Sequence, residues 1–334
     1  MLSLVRRLRI AAVPAACCAL LLGACGDDEE TRSSVPAPPP APRAEDFPAP
    51  GGRTLSQIGR ELGPGPVLAP SVSLLEPGKN RFGFALFDAE RRQLGAVPAA
   101  VYVAPKTGGK VAGPYPARFE SLAVEPEFAS ESTTADPDSA RGVFVADVDL
   151  PKAGDYEILG VLKTDQGFLA TQTVYPSGAA FNVPADGPVP EVGEPAPRIS
   201  TPTVESVGGA VEQIDTRVPP TSQHEVDFAD ALGKRPIVIS FATPALCQSR
   251  VCGPVVDVAE QVKADHEGDA AFIHMEIYNE NAIEKGFREQ VLEWKLPTEP
   301  WVFTVDRSGK VAARLEGPYS ARELEGALAA ATRG

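Results

Sequence analysis

"PIVISFATPALCQSRVCGPVVDVAEQV", residues 236–262, decides how this chain is read. Its first six residues form a short apolar run without alternation, the pattern of a strand buried on both faces. From Gly253 onward, Val255, Val258, Ala259 and Val262 recur at the spacing of one helix face. Between strand and helix stand Cys247 and Cys252, five positions apart. In a regular helix, residues three apart lie about 5 Å from each other between Cα atoms and residues five apart about 8.7 Å. The second distance is beyond disulfide range. Cys247 therefore belongs in the loop before the helix, or the first turn must unwind for the pair to close.

The same alternation of elements continues downstream. "AAFIHMEIY" (270–278) reads as a strand and "AIEKGFREQVLEWK" (282–295) as a helix. "WVFTVD", the turn "RSG" and "KVAARLEG" form a hairpin ahead of a last helix, "SARELEGALAAA" (320–331). Strand, helix, strand, helix, two strands and helix predict an α/β domain with a mixed sheet.

Upstream the pattern is different. "SVSLL", "RFGFALFD", "AAVYVAP", "GVFVADVDL", "DYEILGVLKT" and "FLATQTVYP" are short runs rich in valine, phenylalanine and tyrosine, separated by turns such as "EPGKN" and "PKAGD". They predict an all-β, immunoglobulin-like sandwich over 67–183. This region contains no cysteine or histidine, so it reads as a docking or spacing module. A composition break at "VPADGPVPEVGEPAP" separates it from the α/β domain over 190–334, and separate folding is expected. Residues 25–66 are polar and then proline-rich ("VPAPPPAPR", "FPAPGG"), the composition of an extended linker, with "TLSQIGREL" as a short helix inside it.

The N-terminus fixes the expected compartment. Arg6, Arg7 and Arg9 precede an apolar stretch from Ile10 to Leu22, too short to span a bilayer but suited to a signal peptide over 1–24. It ends in "LLGAC", which resembles the bacterial lipoprotein signal. That resemblance implies a lipidated Cys25 and an extracytoplasmic protein tethered to the cell membrane. Of five cysteines, Cys17 and Cys18 leave with the signal and Cys25 is acylated, so only Cys247 and Cys252 remain for chemistry. The formal charge of −14 disfavours nucleic acid and anionic lipid surfaces as partners.

The element order over 190–334, the segment "VGEPAPRI" (192–199), the cysteines after the first buried strand and "LPTEPWVFTVDRSGKV" (296–311) together resemble thioredoxin-like and peroxiredoxin-like domains. The resemblance implies a cis-proline facing the redox cysteines. Pro300 is the matching position, ahead of Pro297. It also implies thiol–disulfide exchange with protein thiols and disulfides of the cell envelope, through Cys247, Cys252 and Pro300. No cofactor is implied. Two registers stay open. In the favoured one, "CGPV" stands for the family's usual C-x-x-C segment and Cys252 attacks. In the other, peroxiredoxin-like, Cys247 attacks peroxide and Cys252 resolves.

Two departures bear on the chemistry. The family's buried aspartate on the first strand is replaced by Ser240, and Glu299 adds a negative charge beside Pro300. Arg250 and the helix N-terminus would act the other way, favouring a thiolate. A copper-binding relative would need a histidine late in the domain, but His224, His266 and His274 are the only histidines and none follows Met275. No metal is therefore expected. A non-catalytic binding lipoprotein using the same scaffold is the alternative, since fold does not imply function.

Overall fold

The structure is a computed structural model that describes residues 39–334 apart from 177 and 179. The expected signal peptide and the lipidation position, Cys25, lie outside the described residues. No helix among the described residues is long and apolar enough to cross a membrane.

The N-terminal half is a closed barrel rather than a two-sheet sandwich. A short helix α1 (Leu55–Glu61) leads into β1 (Gly63–Pro70), β2 (Gly78–Phe87), β3 (Ala99–Pro105) and β4 (Ala112–Ser121). An insertion carrying the one-turn helix α2 (Glu131–Ala135) separates β4 from β5 (Gly142–Leu150), and β6 (Gly154–Thr164), β7 (Gly167–Thr173) and β8 (Phe181–Val183) follow. The strand order is β3-β4-β5-β2-β1-β7-β6-β8, and β3 also pairs with β6, which closes seven strands into a ring. All pairings are antiparallel except β1 with β7.

The sandwich expectation fails for a definable reason. "GPGPVLAP" and "AGPYPARFES" become β1 and β4 although each carries prolines, which withhold ladder donors and read as breaks. Without these two strands the rest separates into β2–β5 and β3–β6–β7, two sheets that would face each other. β1 joins β2 to β7 and β4 joins β3 to β5, turning two sheets into one ring.

Part of the expected linker belongs to this barrel. Along β3, Val101 and Val103 point into the barrel with Phe82, Phe84 and Phe144, whereas Ala100, Tyr102 and Ala104 point outward. The outward set is covered by Phe47, Leu55 and Ile58, and the Tyr102 hydroxyl donates to the Pro48 carbonyl at 2.7 Å. α1 itself is capped by Thr54, whose hydroxyl accepts from the Gln57 amide while the Gln57 side chain accepts from the Thr54 amide.

The C-terminal half has a four-stranded sheet. After α3 (Phe228–Ala231) come β9 (Ile237–Phe241), α4 (Cys252–Asp265), β10 (Ala271–Met275), α5 (Glu289–Glu293), β11 (Trp301–Val305), β12 (Val311–Glu316) and α6 (Ala321–Arg333). The order is β10-β9-β11-β12, with β9 and β10 parallel and the other pairs antiparallel, a thioredoxin-like arrangement. Alternation along β9 serves two cores. Ile237, Ile239 and Phe241 pack with Trp294, Trp301 and Phe303. Val238 packs on the opposite face with Val255, Val258 and Val262 of α4 and Leu324 and Leu328 of α6. Trp294 and Trp301 are thus core residues. The helix expected over 282–295 is reduced to 3-10 turns and the five residues of α5.

All described residues belong to one compact unit. Glu316 of β12 accepts from the Ser73 and Leu74 amides at 2.8 and 3.0 Å. Arg81 of β2 forms a paired contact with Glu323 of α6 at 2.8 Å through two nitrogens. Ser320 donates to the buried Glu120 of β4 at 2.7 Å.

Candidate redox site

β9 ends at Phe241, and the chain turns through residues 242–251 before α4 begins at Cys252. Cys247 lies in this loop, so the pair meets without the first helical turn having to unwind. The Cys247 and Cys252 sulfurs and a Glu299 carboxylate oxygen all lie within 4.8 Å of one another. The two thiols are free, with Cys247 half-buried and Cys252 buried. The Glu299–Pro300 peptide bond is cis, and Pro300 is buried at the start of β11.

The environments of the two cysteines push them apart. The Cys252 thiol donates to the Cys247 sulfur, and against the effect of burial this pulls the Cys247 thiol down to about 6. The Ser249 hydroxyl, 3.2 Å away, and the amides of Cys252 and Val251 act in the same direction. Burial and the neighbouring Cys247 thiolate push Cys252 up. Cys247 is therefore the more accessible and the more acidic thiol of the pair. The register in which Cys252 attacks is not the one this geometry favours, because the Cys252 thiol is fully buried and held above the ordinary thiol range.

Helix α4 is built to leave its amides for the sulfur. Val251 at its N-cap offers no side-chain acceptor, and Pro254 at the third helical position has no amide proton to cap. The amides at the helix start therefore face Cys247 with no competing cap.

Glu299 points at the pair, as its position beside Pro300 suggested. Burial, reinforced by the Cys247 thiolate, pushes its carboxyl up to about 7. Arg250 does not serve the thiolate. Its guanidinium is held by Asp136 and Asp138 of the β4–β5 insertion, each at 2.8 Å.

That insertion walls the site. Thr133 of α2 packs so closely on α4 that a side chain at Gly253 would stand 2.9 Å from its hydroxyl. Asp257 of α4 accepts from the Ser130 amide at 3.1 Å and pairs with the buried Arg217 at 2.7 Å. Arg217 also donates to the Phe128 carbonyl at 2.6 Å. A cavity of about 410 Å³ lies beside Cys247, lined by Ser132, Thr133, Asp136, Pro244, Arg250 and Gly253 among others. A larger groove of about 1080 Å³ runs between barrel and cysteine loop past Phe87, Arg91, Arg141, Ser249, Glu299 and Pro300.

Two groups have donor sets that could hold a metal among the described residues: Cys247, Cys252 and Glu299, and the buried Asp215, His224 and His274. The second group was not singled out in the sequence. Its signal was a histidine inside the apolar run of β10, where a strand buried on both faces obliges any polar residue to find a partner. His266, by contrast, sits at the end of α4 beside Asp269 at 3.1 Å and takes no part in either group.

No family model matches this chain, and no curated protein matches it. Among solved structures, a protein from Chlorobium tepidum provisionally described as thiol:disulfide interchange protein DsbE is 17% identical, over 43% of this chain and 99% of that one, with a TM-score of 0.31. A second, from Chlorobium tepidum TLS, described as a thiol:disulfide interchange protein of the thioredoxin family, is 16% identical over 44% and 99%, with a TM-score of 0.30.

Proposed function

We propose that this protein is a thiol–disulfide oxidoreductase of the cell envelope, held at the membrane by a lipid on Cys25 and acting on protein thiols and disulfides. The observation that carries the reading is the pairing of a half-buried, acidic Cys247 with a buried Cys252 at a helix start, beside Glu299, whose peptide bond to Pro300 is cis. The sequence of "LLGAC" supports the anchor.

In the reducing direction, the Cys247 thiolate attacks one sulfur of a substrate disulfide. A mixed disulfide forms and the first substrate thiolate leaves. The Cys252 thiol then loses its proton, with the Glu299 carboxylate the base within reach, and attacks the Cys247 sulfur. The Cys247–Cys252 bond forms, the bond to substrate breaks, and the second substrate thiolate leaves. The substrate gains two electrons and the protein loses them. Oxidation of a substrate runs the same steps backward.

Single-cysteine variants test this reading. Cys252→Ser accumulates mixed disulfides with envelope proteins, whereas Cys247→Ser does not. The reduction potential of the pair lies above about −270 mV, since structural bridges fall below about −300 mV. Two variants that both trap nothing, with a potential in the structural range, overturn the reading in favour of a binding scaffold. The anchor is tested separately: Cys25→Ser leaves the membrane fraction, and an unchanged distribution with no lipid mass on the wild type refutes it.

A further inference from the structure

Behind the cysteines lies a cluster of ionisable groups that the exchange steps do not use. Asp215, His224 and His274 are all buried. Ionisable groups so placed need partners, and Asp215 has them. Its Oδ1 accepts from the Arg217 amide at 2.8 Å. Its Oδ2 accepts from the Thr221 amide and hydroxyl at 2.7 and 2.8 Å and from His224 Nε2 at 3.0 Å. His274 Nδ1 stands 3.4 Å from the same oxygen. The carboxylate is thus filled by donors of this chain, which favours an ion pair over a metal site.

The other side of His274 leads toward the cysteines. Its Nε2 donates to the Ala242 carbonyl at 3.1 Å. Ala242 packs against Cys252, and the amide of the same peptide unit, at Thr243, acts against burial to lower the Cys252 thiol. The Thr243 carbonyl accepts from the Cys247 amide at 3.1 Å. One peptide therefore has a buried imidazole on its oxygen and faces the Cys252 side with its amide. A cation at a carbonyl oxygen polarises the amide and strengthens its N–H as a donor.

We propose that the Asp215–His274 ion pair acts through the Ala242–Thr243 peptide to stabilise the Cys252 thiolate as it forms, making His274 a positioning residue for the resolving step. The proposal rests on the oxidoreductase reading above. Burial opposes a charge on His274, but the Asp215 carboxylate overrides it and raises the imidazole to about 9. Burial would raise Asp215 too, yet the two imidazoles hold it well below the usual carboxylate range. Burial pushes His224 down, so it shares the carboxylate as a neutral ring. The device occupies the role left open by Ser240, which instead meets the Tyr319 hydroxyl at 3.1 Å. The groups facing Cys252 are Cys247, Glu299, Tyr278 and Tyr319. Those facing His274 are Asp215, His224 and Glu276.

The test reads Cys252 directly. In a Cys247→Ser background, thiolate absorbance gives the ionisation of Cys252 without any substrate. His274→Gln keeps a donor for the Ala242 carbonyl but removes the charge, and the ionisation then moves up by about one unit, a tenfold change. In the intact pair, resolution of a mixed disulfide preformed with thionitrobenzoate slows about tenfold in His274→Gln, while alkylation of Cys247 keeps its rate. Asp215→Asn, which releases the His274 proton, gives the same shift. In the wild type, nitrogen-15 spectra find both ring nitrogens of His274 protonated at pH 7. Three results would overturn the proposal: a folded variant whose Cys252 ionises as in the wild type, a neutral His274 at pH 7, or one equivalent of zinc on the purified protein without which resolution stops. A wild type that exchanges no disulfide overturns the oxidoreductase reading instead and leaves the Cys252 titration to judge the coupling.

Discussion

At the residue scale, the two cysteines differ because one amide-rich turn serves the first and a dry helix face encloses the second. With Cys247 drawn to about 6, it is largely thiolate at neutral pH. Its alkylation by iodoacetamide should rise with pH and be half-maximal near pH 6, whereas an ordinary cysteine reaches that point about two and a half units higher. Glu299 bears on the partner, since its charge raises Cys252. Glu299→Gln should therefore lower the Cys252 ionisation, and it should slow resolution at neutral pH by removing the base, a split visible when titration and rate are measured together. His274 adds a pH signature of stability. Its folded value, about 9, lies above its ordinary 6.5, so its contribution is fully present below pH 6.5 and is lost as pH climbs through about 9. Melting temperature should fall across that window, and less so in His274→Gln.

At the element scale, α4 leaves its first amides to a sulfur because Val251 supplies no cap. Val251→Asp places a carboxylate at that end, where it competes for the amides and repels the thiolate. The Cys247 ionisation should rise by about a unit, as thiol titration would report, even though an aspartate cap ordinarily stabilises a helix by about 1 kcal/mol. Gly253→Ala should push α2 off α4, raising hydrogen exchange in residues 126–140 while leaving the sheet protected. The legibility of the sequence also divides by element. β9, α4, β11, β12 and α6 were readable because a single period governs each, and helix geometry narrowed Cys247 to the loop or an unwound first turn, of which the structure has the loop. β1 and β4 were hidden by Pro64, Pro66, Pro114 and Pro116, whose missing donors imitate a turn. The outer face of β3 was hidden differently, since its cover comes from Phe47, Leu55 and Ile58 in a stretch whose composition reads as linker. Asp215 and His224 gave no signal at all, because a cluster assembled from a loop and a strand has no period to detect.

At the scale of the whole molecule, charged and polar side chains cross between the halves at Glu316, Arg81, Glu120 and Arg217. Both tryptophans, Trp294 and Trp301, lie in the C-terminal half, so their fluorescence follows that half while circular dichroism of the strands follows both. The two signals should coincide in a denaturant titration. Arg217→Ala leaves Asp257 buried without its cation and should cost about 3–5 kcal/mol in that titration. The β4–β5 insertion carries a further consequence. It belongs to the barrel, yet it anchors Arg250, seals one side of α4 and forms a wall of the cavity beside Cys247. A gene that transmitted residues 190–334 without the barrel would deliver both cysteines but not the wall around them. If the proposed chemistry is what selection keeps, the two halves are inherited together, and substitutions at Thr133, Asp136 or Asp138 weigh on the site as those at Gly253 and Arg250 do.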